Sequence, residues 1–331
     1  GRHALVRTES MYFDPSAFSG LPTQVVNGGI DTAASTLAAA LVSVDSRLSQ
    51  SRYATWTVTD GTNSTGGHYN GAGAVNAAVA AATDGGDIFV RRGAYTSALP
   101  AITITSGGLK LRGETHDGTL TSRTRMTAAS STTVTSDVTL ESLAYLRTGA
   151  FTTTLARNTT LRDVTFQAGA LNLAGPGYSA RLDNVTMLNS ISTGDHTTSS
   201  LRLSARRVHV TNSRFTGPDP LCTGDQPVVW QSTVCSETLY ENCAFTSTRV
   251  NSLAFAFENS VGVTTFNNCT FSAGSPGGYV IDFDGLSLGG TVRFVNCRFV
   301  NTGGFAVVRA RPVTGTVVFE DCLLYAVGSP N

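Results

Sequence analysis

The chain has 331 residues, of which 23 are basic and 23 acidic, so its formal net charge is zero. Such a balance creates no field that would attract nucleic acid or an anionic membrane. No apolar run approaches the roughly 20 residues needed to cross a bilayer, and no signal peptide is recognisable at the start. Composition therefore predicts neither nucleic-acid binding nor membrane insertion, and the length allows one large domain or two.

Residues 1–52 lack the pattern of the remaining chain and are predicted to form an N-terminal arm and helix for anchoring or assembly. Their apolar positions alternate spacings of four and three, which is typical of the seam of a coiled coil: Ile30, Ala34, Leu37, Leu41, Val44 and Leu48. Fewer than three heptads are marginal for a free coiled coil. The helix is therefore expected to pack either with copies of itself around a threefold axis or on the rest of the chain.

A second short helix is predicted at about residues 72–83, near the start of the main domain, residues 53–331. One apolar stripe supports it: Ala72, Val75, Ala78, Val79 and Ala82. Gly85 and Gly86 are expected to end this helix, and Ile88 and Val90 to begin a strand. A helix of this size suits a cap, because the first coil of a stack of strands exposes apolar side chains and unpaired backbone groups.

From residue 140 onward a six-residue motif recurs. It consists of an apolar residue, two residues that mostly include Asn or Asp, an inward slot often filled by Cys, a variable residue and an apolar residue. The eight copies are Leu140–Tyr145, Leu161–Phe166, Leu182–Met187, Val210–Phe215, Tyr240–Phe245, Phe266–Phe271, Phe294–Phe299 and Phe319–Leu324. Their intervals of 21 to 30 residues indicate a solenoid, and the alternation of apolar residues indicates strands. The sequence therefore predicts an all-β fold, a parallel β-helix.

Each position of the motif has a physical interpretation. Asn and Asp tolerate the left-handed backbone conformation, so they are expected to form a tight corner between two sheets. The Cys slot and the final Phe are expected to point inward, whereas the residue between them, as at Thr165, Arg214 and Arg298, is expected to point outward. Stacked coils would then form ladders of Cys, of Phe and of Asn.

The segment "GGDIFVRRGAYT" after the capping helix, followed by "LKLRGE", resembles the opening of the pectate-lyase-like right-handed β-helix superfamily, which includes trimeric bacteriophage tailspikes. The resemblance covers residues 55–331 and implies a right-handed parallel β-helix. It leaves the activity open, because the superfamily contains lyases, hydrolases, esterases and non-catalytic proteins. The N-terminal arm is similar to the virion-attachment regions of such phage proteins, which implies a homotrimer that contacts other virion proteins.

The best candidate for catalysis is the stretch "YVIDFDG", in which two carboxylates flank one residue of a strand and share a face. Alignment of the coils adds an acid and two arginines, so that the candidate residues are Asp282, Asp284, Glu258, Arg309 and Arg311. Acids paired with arginine suit polysaccharide cleavage. The alternative is a solvated face with an ordinary ion pair. The residue strings typical of polygalacturonases are absent.

The long insertion "GPDPLCTGDQPVVWQSTVC" contributes two further candidates. Trp230 is expected either to stack on a sugar or to pack this loop against the shaft. Cys222 and Cys235 are expected either to form a disulfide that closes the loop or to remain two thiols. No Cys pair has the close spacing of a zinc site, so neither a metal nor a cofactor is predicted.

These features favour a structural protein: the rigid shaft of a phage virion appendage, such as a tailspike, tail fibre or decoration protein, which attaches to or contacts a receptor. Its location would be the virion, and its partner a cell-surface glycan. The alternative is a polysaccharide lyase or glycoside hydrolase that depolymerises a surface glycan. A secreted, extracellular adhesin is a third hypothesis. The last coil is expected to be covered by a neighbour, a threefold partner or further sequence.

Overall fold

The computed structural model describes residues 56–61, 67–82, 86–96, 108–114, 124–128, 132–147, 152–167, 170–188, 201–217, 227–231, 235–248, 253–257, 262–274, 279–283, 290–304, 306–310 and 315–327. These ranges contain 28 β-strands and one helix, α1 (Ala74–Ala81). All strand pairs that the structure describes are parallel. The arm and helix predicted in residues 1–52 lie outside the described residues.

In chain order the strands are β1 (Trp56–Thr59), β2 (Tyr69–Asn70), β3 (Gly86–Val90), β4 (Gly93–Thr96), β5 (Leu109–Gly113), β6 (Thr124–Ala128), β7 (Thr132–Val134), β8 (Val138–Glu141), β9 (Leu143–Arg147), β10 (Thr152–Leu155), β11 (Thr159–Arg162), β12 (Thr165–Gln167), β13 (Ala170–Asp183), β14 (Thr186–Leu188), β15 (Leu201–Thr211), β16 (Arg214–Gly217), β17 (Pro227–Gln231), β18 (Glu237–Glu241), β19 (Ala244–Ser247), β20 (Leu253–Phe257), β21 (Val263–Asn267), β22 (Thr270–Ala273), β23 (Ile281–Phe283), β24 (Thr291–Val295), β25 (Arg298–Asn301), β26 (Val308–Ala310), β27 (Thr316–Glu320) and β28 (Leu323–Ala326).

The strands stack into three faces of a parallel β-helix, which confirms the predicted fold class. The first face contains β7, β10, the beginnings of β13 and β15, β17, β20, β23 and β26. The second contains β1, β3, β5, β8, β11, the ends of β13 and β15, β18, β21, β24 and β27. The third contains β4, β6, β9, β12, β14, β16, β19, β22, β25 and β28. Strands β13 and β15 run from the first face into the second.

The corner between the second and third faces is built as the motif predicts. The third residue of every copy has a left-handed backbone with φ of 52 to 55°: Ser142, Asp163, Asn184, Asn212, Asn242, Asn268, Asn296 and Asp321. No other non-glycine residue that the structure describes has a positive φ. The amide Nδ2 of Asn268 donates to Oδ1 of Asn242 over 2.7 Å, and Asn296 donates to Asn268 over 3.4 Å. These side chains therefore link successive coils outside the core.

The corner is less uniform in its earlier copies. Asn184 donates to Asp163 over 2.6 Å, but the amide of Asn212 turns to the carboxylate of Asp183 in the adjacent strand, 3.1 Å away. A shorter hydrogen bond from the Thr211 hydroxyl, 2.7 Å long, lowers the pKa of Asp183 below its ordinary value. The ladder of amides is thus continuous from Asn212 to Asn296, and acids take part before it.

The predicted ladders fill the core. Phe215, Phe245, Phe271 and Phe299 stack with ring centroids 5.4, 4.8 and 4.9 Å apart. The thiols of Cys243, Cys269 and Cys297 are buried and donate to backbone carbonyls, both within their own coil and in the coil before. Because each buried S–H has an acceptor, the Cys ladder packs without an unsatisfied donor.

Both ends of the stack behave as expected from the open edges of a solenoid. The residues of α1 that are buried, Ala74, Val75, Ala78 and Val79, join the core cluster together with the first strands. The prediction of a cap is therefore confirmed. At the other end Leu323, Leu324 and Tyr325 of β28 are about half exposed, at 56, 48 and 50%. The final motif thus lacks the coverage that the earlier copies receive.

Several details differ from the sequence-based predictions. Helix α1 is shorter than residues 72–83; Ala72 is exposed, and Gly86 begins β3 instead of ending the helix. Thr165 is only 7% exposed although Arg214 and Arg298 point outward as predicted. A threonine is small enough to be covered by neighbouring groups, whereas an arginine is long enough to reach solvent.

The corner gives a first testable prediction. Asn268→Ala is expected to reduce the free energy of unfolding by about 2 kcal/mol, since Ala in a left-handed conformation costs about 1 kcal/mol and the lost side-chain hydrogen bonds cost about as much. Asn268→Gly keeps the backbone conformation available and serves as the control, with a smaller loss expected. Denaturant titration measures both variants. Equal losses for Ala and Gly would show that the left-handed backbone is not the constraint.

Candidate functional site

Two of the predicted site residues lie side by side on the first face. Asp282 is in β23 and Arg309 in β26, and the two are directly paired across neighbouring coils. Arg309 Nε donates to Asp282 Oδ1 over 2.9 Å, and a second guanidinium nitrogen, Nη2, donates to Oδ2. The predicted alignment of Arg309 with Asp282 therefore matches the structure.

The environment of this pair differs from that of a solvated ion pair. The Asp282 side chain is only 1% exposed, whereas that of Arg309 is 26% exposed. The Arg309 guanidinium also lies over the ring of Tyr279, 4.9 Å from its centroid. Because both carboxylate oxygens accept hydrogen bonds from Arg309, Asp282 holds the guanidinium in a fixed position. A carboxylate engaged in this way is poorly placed to exchange a proton with a substrate.

The remaining members of the predicted acid group cannot be placed. Asp284, Glu258 and Arg311 lie outside the described residues, and β23 ends at Phe283. The second carboxylate that a glycosidase needs at a defined distance is therefore still a prediction.

Trp230 lies in strand β17, not in a loop as the insertion suggested. It is part-exposed, and the guanidinium of Arg202 lies over its ring, 3.7 Å from the centroid. Arg202 is the register partner of Trp230 in the preceding coil. Planar contact with a guanidinium is a cation–π interaction and keeps the indole fixed against the sheet.

The structure brings Trp230 onto the same row as the ion pair. Successive register partners along the first face are Arg202, Trp230, Ala256, Asp282 and Arg309, which we call the first-face row. Neighbouring strands are about 4.8 Å apart, so Trp230 and Arg309 are separated by about 14 Å along the stack. The two part-exposed side chains frame Ala256 and Asp282, which are buried between them.

The sequence analysis missed two members of this site, Arg202 and Tyr279. Neither residue is part of the six-residue motif, and each is 28 to 30 residues from the side chain that it covers, since Arg202 contacts Trp230 and Tyr279 contacts Arg309. The only signal available was the coil spacing, which would have aligned Arg202 with Trp230.

Cys235 is fully buried, and its Sγ donates to the backbone oxygen of Leu203 over 3.4 Å. Its proposed disulfide partner, Cys222, lies outside the described residues, so that pairing stays a prediction. Among the described residues no group of three or more His, Cys, Asp and Glu side chains is arranged to hold a metal ion. The one helix described, α1, is too short to traverse a lipid bilayer.

No protein-family model and no curated protein matches the chain. Among solved structures it is similar to the A-module of the mannuronan C-5 epimerase AlgE4 of Azotobacter vinelandii, at 10% sequence identity and a TM-score of 0.34. That match covers 78% of this chain and 95% of the other. A likeness at this level carries no information about activity. The parallel β-helix is established by the strand pairing of the chain itself.

The ion pair can be tested by a double-mutant cycle. Asp282→Asn and Arg309→Met are each expected to reduce the free energy of unfolding by about 2 kcal/mol, because each leaves one partner of a charged hydrogen-bonded pair unmatched. The double variant is expected to lose clearly less than the sum, and denaturant titration measures all four proteins. Strictly additive losses would contradict a direct interaction.

Proposed function

We propose that the protein is a rigid β-helical attachment protein that contacts a cell-surface glycan through the first-face row. The observation that supports it is the row itself, where part-exposed Trp230 and Arg309 are each fixed by a partner on a rigid sheet. An aromatic ring and a guanidinium are planar groups suited to the faces and hydroxyl groups of sugars. Their fixed positions lower the entropic cost of binding.

Attachment is favoured over cleavage by the state of Asp282. Its carboxylate is buried and accepts two hydrogen bonds from Arg309, so it orients a binding group and has no free oxygen to act as acid or base. Depolymerisation by a lyase or hydrolase is the outcome that would replace this proposal.

A virion appendage is the setting that we propose for this attachment. Its support is the stacked, parallel architecture, which makes a stiff shaft, together with the four-three apolar spacing between Ile30 and Leu48 in the N-terminal segment. A threefold assembly through that segment would place three first-face rows around one axis, and binding of one polymer through several rows would raise the overall affinity.

The glycan contact is tested with polysaccharides from bacterial envelopes immobilised on a sensor surface. Trp230→Ala is expected to weaken binding by about tenfold or more, since truncation of a binding tryptophan typically costs about 2 kcal/mol. Trp230→Phe keeps an aromatic face and is expected to retain most of the affinity. Tyr325→Ala removes another exposed aromatic residue, which lies on the last coil, and is the matched control with no loss expected.

Two results would overturn the proposal. One is unchanged binding by Trp230→Ala. The other is shortening of the glycan by the wild-type protein, measured by size-exclusion chromatography, together with its loss in Asp282→Asn; that result would identify a depolymerase.

The assembly is tested by light scattering on the full chain. A homotrimer is expected, with a mass three times the 34.5 kDa of the chain. Leu37→Asp with Leu41→Asp places charges in the proposed seam and is expected to give monomers that retain the β-rich circular dichroism spectrum. A wild-type monomer would contradict the threefold assembly and leave the glycan contact to be judged by its own experiment.

A further inference from the structure

A second candidate binding surface lies on the second face, around a corner of the β-helix from the first-face row. An open cavity of about 660 Å³ is lined there by outward residues of β5, β8, β11, β13, β15 and β18. Its floor is one row of register partners: Lys110, Thr139, Thr160, Arg181, His209 and Leu239. We call this cavity the second-face groove. It shares no residue with the first-face row.

The shape of the groove suits an extended ligand. Its floor crosses six consecutive coils, so at about 4.8 Å per step it extends about 24 Å along the stack. Short side chains, Thr139 and Thr160, lie in the middle of the floor, while Asp137, Asn158 and Arg207 lie along one side. A linear polymer can lie along such a depression, and a compact ligand would leave most of it empty.

The charges in the groove are largely matched by partners, with one exception. Lys110 pairs with Glu141 at 3.2 Å, Arg207 pairs with Glu237 at 3.2 Å, and His209 contacts Glu241 at 3.0 Å.

Arg181 is the exception. It lies on the floor between Thr160 and His209, is exposed, and makes no hydrogen bond or ion pair with another residue in the described part of the chain. Its charge is opposed only at longer range, by Asp183 two residues further along β13. A guanidinium in this state can accept a carboxylate through two parallel hydrogen bonds.

We propose that the second-face groove binds an acidic polysaccharide, with Arg181 paired to a sugar carboxylate and the neighbouring hydroxyl and amide groups in contact with sugar hydroxyls. Nucleic acid is disfavoured, because its affinity requires many cations and only one in the groove lacks a close partner. A peptide is disfavoured because strand addition needs a free sheet edge, and the groove lies on the face of a sheet. The ligand differs from that of the first-face row in requiring a negative charge.

The test uses the full chain and an oligogalacturonate long enough to span the groove, with its methyl ester as the uncharged counterpart. Calorimetry near physiological ionic strength is expected to show binding of the acid and at least about tenfold weaker binding of the ester, because a hydrogen-bonded carboxylate contributes about 1.5 kcal/mol or more. Arg181→Ala is expected to weaken binding of the acid by a similar factor and to leave binding of the ester unchanged.

Arg162→Ala is the matched control. Arg162 is exposed on the same face, one coil away in β11, but it pairs with Glu141 and does not line the groove. Its removal changes the net charge by the same amount and is expected to alter binding less than twofold. Equal weakening by Arg162→Ala and Arg181→Ala would show a diffuse electrostatic effect and overturn the proposal, as would no binding of the acid by the wild-type protein.

Trp230→Ala separates this proposal from the function assigned to the first-face row. It is expected to leave oligogalacturonate binding intact. Loss of acid binding in Trp230→Ala but not in Arg181→Ala would place the acidic glycan on the first face and overturn a second site. Conversely, Arg181→Ala binding that fails while envelope polysaccharides still bind through Trp230 would support two separate surfaces.

Discussion

The left-handed corner residue is the constraint on which the rest of the structure depends. At eight consecutive corners the backbone adopts the same conformation, with φ near 53°. A corner of this type costs about 1 kcal/mol or more for most residues, and Asn or Asp reduces that cost. Since every coil turns at the same place, the strands on either side begin in the same register. The alignment of thiols and rings in the core is a consequence of that common turn.

The core changes character along the stack while its register stays constant. The inward row of the second face begins with aliphatic residues, Leu111, Leu140, Leu161, Leu182 and Val210, and continues with aromatic ones, Tyr240, Phe266, Phe294 and Phe319. The motif interval increases over the same range, from 21 residues to between 25 and 30. Longer coils enclose a wider cross-section, which larger side chains are needed to fill.

Buried polar groups within this wider core are also matched. The hydroxyl of Tyr240 donates to Gln231 over 3.2 Å, and the amide of Gln231 donates to the Thr264 hydroxyl over 2.7 Å. Burial raises the pKa of Tyr240 well above its ordinary value, so the phenol remains a donor. Three polar side chains can therefore be enclosed between two faces without leaving these particular groups unsatisfied.

Sequence reasoning succeeded where local preferences and period agree. The corner at Asn268 could be predicted because Asn tolerates the left-handed conformation, and the inward position of Phe271 because strand side chains alternate. The first face was harder to predict, since its strands are three to five residues long and carry no recurring motif. Trp230 was therefore assigned to a loop, although it lies in β17.

The contacts that define the candidate sites depend on pairing over long sequence distances. The burial of Asp282 follows from its partner Arg309, and the exposure of Arg181 follows from the short side chain of Thr160 beside it. Neither relation is contained in a local pattern, because a one-residue change of register would turn these side chains to the other face of the sheet. The predicted roles of Asp284, Glu258 and Arg311 are unaffected by this comparison.

The repeated corner also bears on how such a chain can change in length. Each coil contacts mainly the coils before and after it, so a duplicated or deleted segment that runs from one corner residue to the next preserves every remaining contact type. One such event moves the chemical groups above it by about 4.8 Å relative to those below. Gene duplication in units of a single turn can therefore adjust the distance between two surface sites in small, equal steps while leaving each site intact.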